Sequence, residues 1–183
     1  MDDTTGPEVL LEELTANVLR QIQADPSIQK GDLNAIIKLV NEKILPYGDF
    51  ERTTRLVMGR NWLKATPTQR AEITEQFKLL LIQTYAGALA RVRDPKISYG
   101  PLRVPHDATD VVVYAQVLDQ GQVAALDYRM AKTPNGWRVY DMNMLGAWLV
   151  PAYRQQFGEQ IAQHGIDGLL QFLKRRNASL ANP

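Results

Sequence analysis

Cysteine is absent from the 183 residues, which removes disulfide frameworks, thiolate metal sites and cysteine nucleophiles together. Histidine is nearly absent. His106 lies in a Pro-flanked loop and His164 precedes Gly165 at an expected helix end; each reads as a surface or capping residue rather than a base or a metal ligand. A dominant charge is lacking too: 21 Lys+Arg stand against 20 Asp+Glu. No basic footprint for nucleic acid follows, and no nucleic-acid partner is expected. No apolar run of about 18 residues occurs, so no membrane-spanning segment is expected. The opening MDDTTGPEVLLEELT is acidic and polar, unlike the basic and then apolar start of a signal peptide. Gly-rich phosphate loops and a GxSxG elbow are missing, which sets aside nucleotide chemistry and the common serine hydrolase pattern.

The length suits one domain over 1–183, with frayed ends expected at 1–6 and 177–183. The first half has helical spacing. Leu10, Leu14, Val18 and Ile22 repeat along PEVLLEELTANVLRQI, with Pro7 suited to a first turn and acidic residues near the positive helix end. Asp25-Pro26 ends this helix, and Gly31-Asp32 opens a second, closed by Pro46. A third follows Asp49 and carries Thr54, Val57 and Met58. Thr66-Pro67-Thr68-Gln69 is a capping box for a fourth, whose inward face holds Ile73, Phe77, Leu80, Leu81, Thr84 and Tyr85.

From about Lys96 the period becomes two. Strands are expected at Ile97 to Val104, Val111 to Leu118, Gln122 to Met130 and Trp137 to Leu145, in an antiparallel meander. A three-residue turn at Asp119-Gln120-Gly121 sets Leu118 opposite Gln122, Tyr114 opposite Leu126 and Val112 opposite Tyr128. One register of the next hairpin sets Arg129 against Asp141. The core face then collects Tyr114, Leu118, Leu126, Tyr128, Met130, Tyr140, Met142 and Met144, and the other face Val111, Val113, Asp127, Arg129, Asp141 and Asn143. Two closing helices follow, the second opening at Asp167, with Lys174, Arg175 and Arg176 near its end. Helices, sheet and helices in that order make an α+β fold with segregated layers.

Chemistry is sparse. Asp127 and Asp141 are the best carboxylate pair, either a buried general base in a small-pocket enzyme of isomerase or dehydratase type or partners in a cross-strand ion pair with Arg129. The remaining feature is an excess of apolar, Met-rich lining: Met58, Leu80, Leu81, Tyr85, Met130, Met142, Met144, Leu145, Trp148 and Leu149. Methionine fills irregular apolar space; an ordinary filled core is the plainer reading, and composition does not separate it from a hollow one.

The segment YGDFERTTRLVMGRNWLKATPTQRAEITEQFKLLLIQTYAGAL resembles the pattern of the MlaC, or toluene-tolerance, family of periplasmic phospholipid carriers. Arg55, Gly59, Trp62, Thr66-Pro67, Gln69, Phe77, Leu80 and Thr84-Tyr85 carry the likeness, and Asp127-Tyr128-Arg129, Gly136-Trp137, Val139-Tyr140-Asp141, Tyr153-Arg154, Phe157 and Gly165-Ile166-Asp167-Gly168-Leu169 continue it. The chain departs where the family commonly reads Glu-Gly-Val-Ser and here reads Leu145-Gly146-Ala147-Trp148. The resemblance implies a curved four-stranded antiparallel sheet wrapped by helices, of NTF2-like or cystatin-like type, enclosing an apolar cavity. It implies a non-enzymatic, monomeric periplasmic carrier with no cofactor and a bound glycerophospholipid. Its implied partners are an inner-membrane ABC transporter with an MlaD-type subunit and an outer-membrane MlaA–porin complex. Val57, Met58, Leu80, Leu81, Tyr85, Tyr114, Leu126, Tyr128, Met130, Met142, Met144, Leu145, Trp148 and Leu149 are the expected lining, and Arg60, Lys64 and Arg154 the expected head-group rim.

Overall fold

Pro7 at the first turn and apolar residues on one stripe give helix α1 (Pro7–Ala24), which buries Leu10, Leu11, Leu14 and Ile22. The computed structural model describes residues 4–182; of the expected frayed start, Met1, Asp2 and Asp3 lie outside the described residues. Asp25 accepts the Ser27 amide to open α2 (Pro26–Gln29), and Asp32 accepts the Ala35 amide to open α3 (Leu33–Leu39). The chain then widens into one π-helical segment, Val40–Ile44, and tightens into a 3-10 turn, Leu45–Tyr47. Asp49 caps α4 (Phe50–Met58), α5 (Asn61–Lys64) follows, and the expected capping box opens α6 (Pro67–Ala90). In that box Thr66 Oγ1 accepts the Gln69 amide at 3.1 Å while Gln69 Oε1 accepts the Thr66 amide at 2.9 Å.

The sheet is antiparallel throughout its named strands and has six of them, not four. They are β1 (Lys96–Tyr99), β2 (Asp110–Val113), β3 (Ala115–Asp119), β4 (Gln122–Thr133), β5 (Gly136–Met144) and β6 (Ala147–Trp148). The spatial order is β1-β3-β4-β5-β6, with β2 also paired to β4. Two differences account for the count: the strand expected at 111–118 breaks at Tyr114, and a two-residue β6 folds back on β5. The first expected strand ends at Tyr99, short of Val104.

The β3–β4 hairpin closes through two residues, not three. Asp119 pairs with Gln122, and both Gln120 (φ 53°) and Gly121 (φ 77°) take the left-handed conformation that a tight hairpin turn requires. A one-residue slip exchanges the two faces of a strand. Val111 therefore pairs with Met130 and Val113 with Tyr128, so both valines join the core face, while Tyr114 turns outward and is 62% exposed. The β4–β5 register sets Tyr128 against Met142 and Arg129 against Asp141 as expected, then shifts, so that Met130 pairs with Val139. Tyr140 is the extra residue of this bulge, and leaves the core face on which it was expected.

The last helix, α7 (Leu149–Ala181), is broken at Gly165 (φ 73°, ψ −178°), giving the two closing segments expected. Its tail does not fray at Asn177, which is buried and donates from Nδ2 to the Gln76 carbonyl at 2.9 Å. Lys174, Arg175 and Arg176 thus lie inside the helix rather than at its end.

Three apolar clusters hold the layers. Phe77, Phe157, Leu169 and Leu173 centre the one formed by α4, α5, α6 and α7, where the Phe77 ring meets Phe50, Tyr153 and Phe157 at 5.1–5.4 Å between centroids. The second packs Leu10, Leu11 and Leu14 of α1 onto Val113, Tyr128, Met130 and Trp137 of the sheet. The third gathers Ile22, Ile28, Ile36, Leu39 and Ile82 at the α1–α2–α3–α6 corner, and Val18 packs against both it and the sheet cluster.

Candidate functional site

Alternation along β4 puts Leu126, Tyr128 and Met130 in one row, and their partners across the hairpin are Met144, Met142 and Val139. The bulge at Tyr140 keeps Val139 and Met142 in that row although they are three residues apart. The row is apolar with phenol hydroxyls at its margin. Burial pushes the Tyr128 phenol well above its ordinary value and raises that of Tyr99, so both are neutral near pH 7 and act as hydrogen-bond groups. The Tyr99 hydroxyl lies 3.3 Å from Thr15 Oγ1 on α1, and the Tyr47 hydroxyl accepts from Asn17 Nδ2 at 2.8 Å. Burial rises from Leu126, which is partly open, to Met130, which is sealed, so the row has an open end toward Met144 and a closed end under α1.

The expected lining separates into groups. Leu126, Tyr128, Met130 and Met142 belong to the sheet cluster; Val57, Met58, Leu80 and Leu81 belong to the helical one. Tyr85 is half-buried on α6, with its phenol pushed up by burial, and Leu149 is buried at the start of α7. Two residues do not fit the lining. Tyr114 points out for the register reason given above, and Leu145 sits at the tip of the β5–β6 hairpin, 80% exposed with φ 54°. Trp148 has another partner: the Arg129 guanidinium lies over its ring, 4.7 Å from the centroid. Two open surface grooves are lined by a mixture of polar and apolar groups. One, of about 470 Å³, runs along Glu51, Trp62, Arg70 and Glu75; the other, of about 400 Å³, runs along Ser98, Gly100, Tyr114, Gln116 and Asp127. Only Tyr114 among the expected lining residues borders either.

Both candidate carboxylates occupy the face opposite the row. Asp141 Oδ1 accepts the Met142 amide at 2.8 Å and the Val150 amide at 3.0 Å, tying β5 to the first turn of α7. Burial raises its pKa from the ordinary value, an effect partly offset by these amides. Asp127 Oδ1 accepts the Ala115 amide at 3.3 Å and Oδ2 accepts from Asn143 Nδ2 at 3.0 Å. The rim cations Arg60, Lys64 and Arg154 are all exposed, and Arg154 Nε donates to the Leu56 carbonyl at 2.8 Å, which joins α7 to α4.

Sequence reasoning missed a polar latch between α4 and the sheet. The Tyr140 hydroxyl donates toward the Asp110 carboxylate at 2.8–2.9 Å, the Arg52 guanidinium sits 4.5 Å from the Tyr140 ring centroid and 3.8 Å from Asp110, and Thr53 Oγ1 donates to the Tyr140 carbonyl at 2.7 Å. The partners are far apart in sequence, and only the bulge brings Tyr140 to them. The π-helical segment at Val40–Ile44, a feature frequent at functional sites, had no sequence signal either. Among the described residues no group of three or more His, Cys, Asp or Glu could hold a metal, and no helix is long and apolar enough to cross a membrane.

The family model "MlaC protein" matches residues 12–175. The chain belongs to the MlaC family. Within it, the chain is 25% identical over 170 residues to the intermembrane phospholipid transport system binding protein MlaC of Haemophilus influenzae, covering 91% of this chain and 79% of the relative. It is 24% identical over 162 residues to the toluene tolerance protein ttg2D of Pseudomonas putida, covering 88% and 75%. Among solved structures, the phospholipid-binding protein of Ralstonia solanacearum in complex with a phospholipid superposes with a TM-score of 0.93 at 46% identity, covering all of both chains. The α+β architecture is therefore that of a phospholipid-binding protein solved in complex with a phospholipid.

Proposed function

We propose that this protein is a periplasmic phospholipid carrier that holds acyl chains against the Leu126–Tyr128–Met130 row and passes lipid between membrane complexes. The observation that carries this reading is the full-length likeness, at 46% identity, to a protein solved with a phospholipid. The chains lie between the sheet row and Leu81 and Tyr85 of α6, with Met142 and Met144 at the open end. Val57, Met58, Leu80 and Leu149 back the wall from the helical side. Arg60, Lys64 and Arg154 are the cations available to a head group left near solvent. Burial of apolar surface is sufficient to retain lipid: at roughly 0.8 kcal/mol per methylene, a palmitoyl-sized chain gains on the order of 10 kcal/mol before entropic costs. Loading requires the sheet cluster and the helical cluster of α4–α7 to part, and the methionines can repack as they do so.

The same reading makes the protein a non-enzymatic shuttle of NTF2-like or cystatin-like type. It works as a monomer between an inner-membrane ABC transporter with an MlaD-type subunit and an outer-membrane MlaA–porin complex. Release is set by those partners, since a ligand leaves a closed site only when another state competes for it. The small-pocket enzyme finds no support in the carboxylates, both of which lie on the face away from the apolar row, where they accept from main-chain and amide donors. Purified protein, denatured and extracted, yields stoichiometric phospholipid by mass spectrometry; protein that is clean and that also takes up no lipid from vesicles would overturn the reading.

A further inference from the structure

The break at Tyr114 opens a groove of about 400 Å³ on the outward face of the sheet, bordered by Ser98, Tyr99, Gly100, Tyr114, Gln116 and Asp127. Its floor holds the Asp127 side chain. Asp127 is 8% exposed, and its oxygens meet only neutral donors, the Ala115 amide and Asn143 Nδ2. Among the described residues no Lys, Arg or His nitrogen comes within 4.0 Å of it; the ion pairs formed are Arg52–Asp110 and Lys78–Glu75. Arg129, two residues along the same strand, is drawn to the Trp148 ring instead. Behind the carboxylate, Asn143 Oδ1 is buried with no partner, since Nδ2 is the end turned to Asp127. A buried carboxylate that borders the groove without a counter-ion leaves acceptor capacity that a cation with N–H or polarised C–H groups would satisfy.

We propose that this groove binds a small organic ammonium group, with Asp127 as its counter-ion and the Tyr114 ring as a cover. The chemistry of the walls selects that class. A divalent metal such as calcium takes about six to eight oxygens, which one carboxylate among amides, a hydroxyl and phenols does not supply. A singly charged ammonium with carbon substituents matches one carboxylate beside an aromatic face. Tyr114 is exposed at the break between β2 and β3, and its carbonyl accepts the Gly100 amide at 2.8 Å, which holds it at the groove's edge. The site lies on the sheet face opposite the row assigned to acyl chains, so it stands independently of the carrier reading.

Choline chloride, titrated into lipid-free protein, produces a saturable shift of the Ala115 main-chain amide and the Asn143 side-chain amide in nitrogen–proton NMR spectra. The neutral isostere 3,3-dimethylbutan-1-ol binds at least about tenfold more weakly, because it lacks the charge. Asp127→Asn weakens choline at least about tenfold while keeping an oxygen for the Ala115 amide, and Tyr114→Ala, at an exposed site that the fold does not need, weakens it about threefold. No saturable shift, equal binding of the neutral alcohol, or unchanged affinity in both variants would overturn the site. Because lipid held in the apolar row lies on the other face of the sheet, choline binds equally well to protein loaded beforehand with phosphatidylethanolamine or phosphatidylglycerol; loss of choline binding on loading with either lipid would overturn the placement of the site.

Discussion

The Asp141 carboxylate accepts the Val150 amide at 3.0 Å and so supplies, from β5, the cap that the first turn of α7 lacks in its own sequence. Trp148 stands at the cap position and has no side-chain oxygen, leaving an amide of the first turn that must be satisfied from elsewhere. Asp141→Ala removes that acceptor and strands a buried N–H, lowering stability by about 1–3 kcal/mol; urea unfolding reads this directly. Asp141→Asn keeps an oxygen in place and costs less.

The same carboxylate sets a pH dependence. Burial raises its folded-state pKa above the unfolded value, so the folded chain binds this proton more readily than the unfolded chain does. Its contribution to stability therefore falls as pH rises through the carboxylate range, and recovers as pH falls through the folded pKa. Wild type gains on Asp141→Asn between pH 7 and pH 4, and unfolding midpoints that keep a constant gap across that range would rule out the linkage.

Leu145 is a β-hairpin residue in the left-handed conformation. It is exposed at φ 54°, beside Gly146 at φ 84°, in a two-residue turn whose first position suits Asn or Gly. Replacing it with Asn relieves left-handed strain of roughly 1 kcal/mol and raises the melting temperature. Lipid loading stays as it was, since Leu145 does not face the apolar row.

These residues also show how far the sequence could be read. The helices were legible from their own ends, because Thr66 with Gln69, Asp32 and Asp49 each act on amides within the same first turn. The pairing of Arg129 with Asp141 was legible from alternation. The β3 register was not. It depended on whether Gln120 would accept a positive φ, a choice that favours glycine and is decided by the strands on either side. That single residue decided the sides of Tyr114, Val111 and Val113. The bulge at Tyr140 was hidden for a similar reason: its polar partners Asp110 and Arg52 come from distant segments. Among the expected lining residues, Val57, Met58, Leu80 and Leu149 on helices are buried, whereas Tyr114 at a strand break and Leu145 on a turn are exposed.

Gly165 explains why α7 is two segments. Its φ of 73° with ψ of −178° is open to glycine almost alone, and Gly168 lies close beneath His164, where an added Cβ would come within 2.3 Å of the His164 Cβ. The second segment is fixed to α6 by Gln69 Nε2 donating to Asp167 Oδ1 at 2.9 Å. Gly165→Ala costs about 1–3 kcal/mol, and Gly168→Ala is similarly damaging because His164 must move. Gln69→Ala loses both the capping box and this bond and costs about 1 kcal/mol. Thermal unfolding of the three variants checks the order.

Met142 separates a lipid site from a solid core. It faces Tyr128 in the apolar row and is only partly buried, so a larger side chain has room to grow toward the open end. Met142→Trp fills the volume that acyl chains require and lowers the phospholipid recovered per protein severalfold, with little change in melting temperature. A filled core would respond the other way: overpacking destabilises by about 1–3 kcal/mol and leaves lipid content alone. Met130→Trp is the internal control, since Met130 is sealed under α1 and its enlargement destabilises whether or not lipid binds nearby. Lipid mass spectrometry and thermal unfolding, run on both variants, place the acyl chains at the Met142 end of the row when loading falls in Met142→Trp and stability falls only in Met130→Trp.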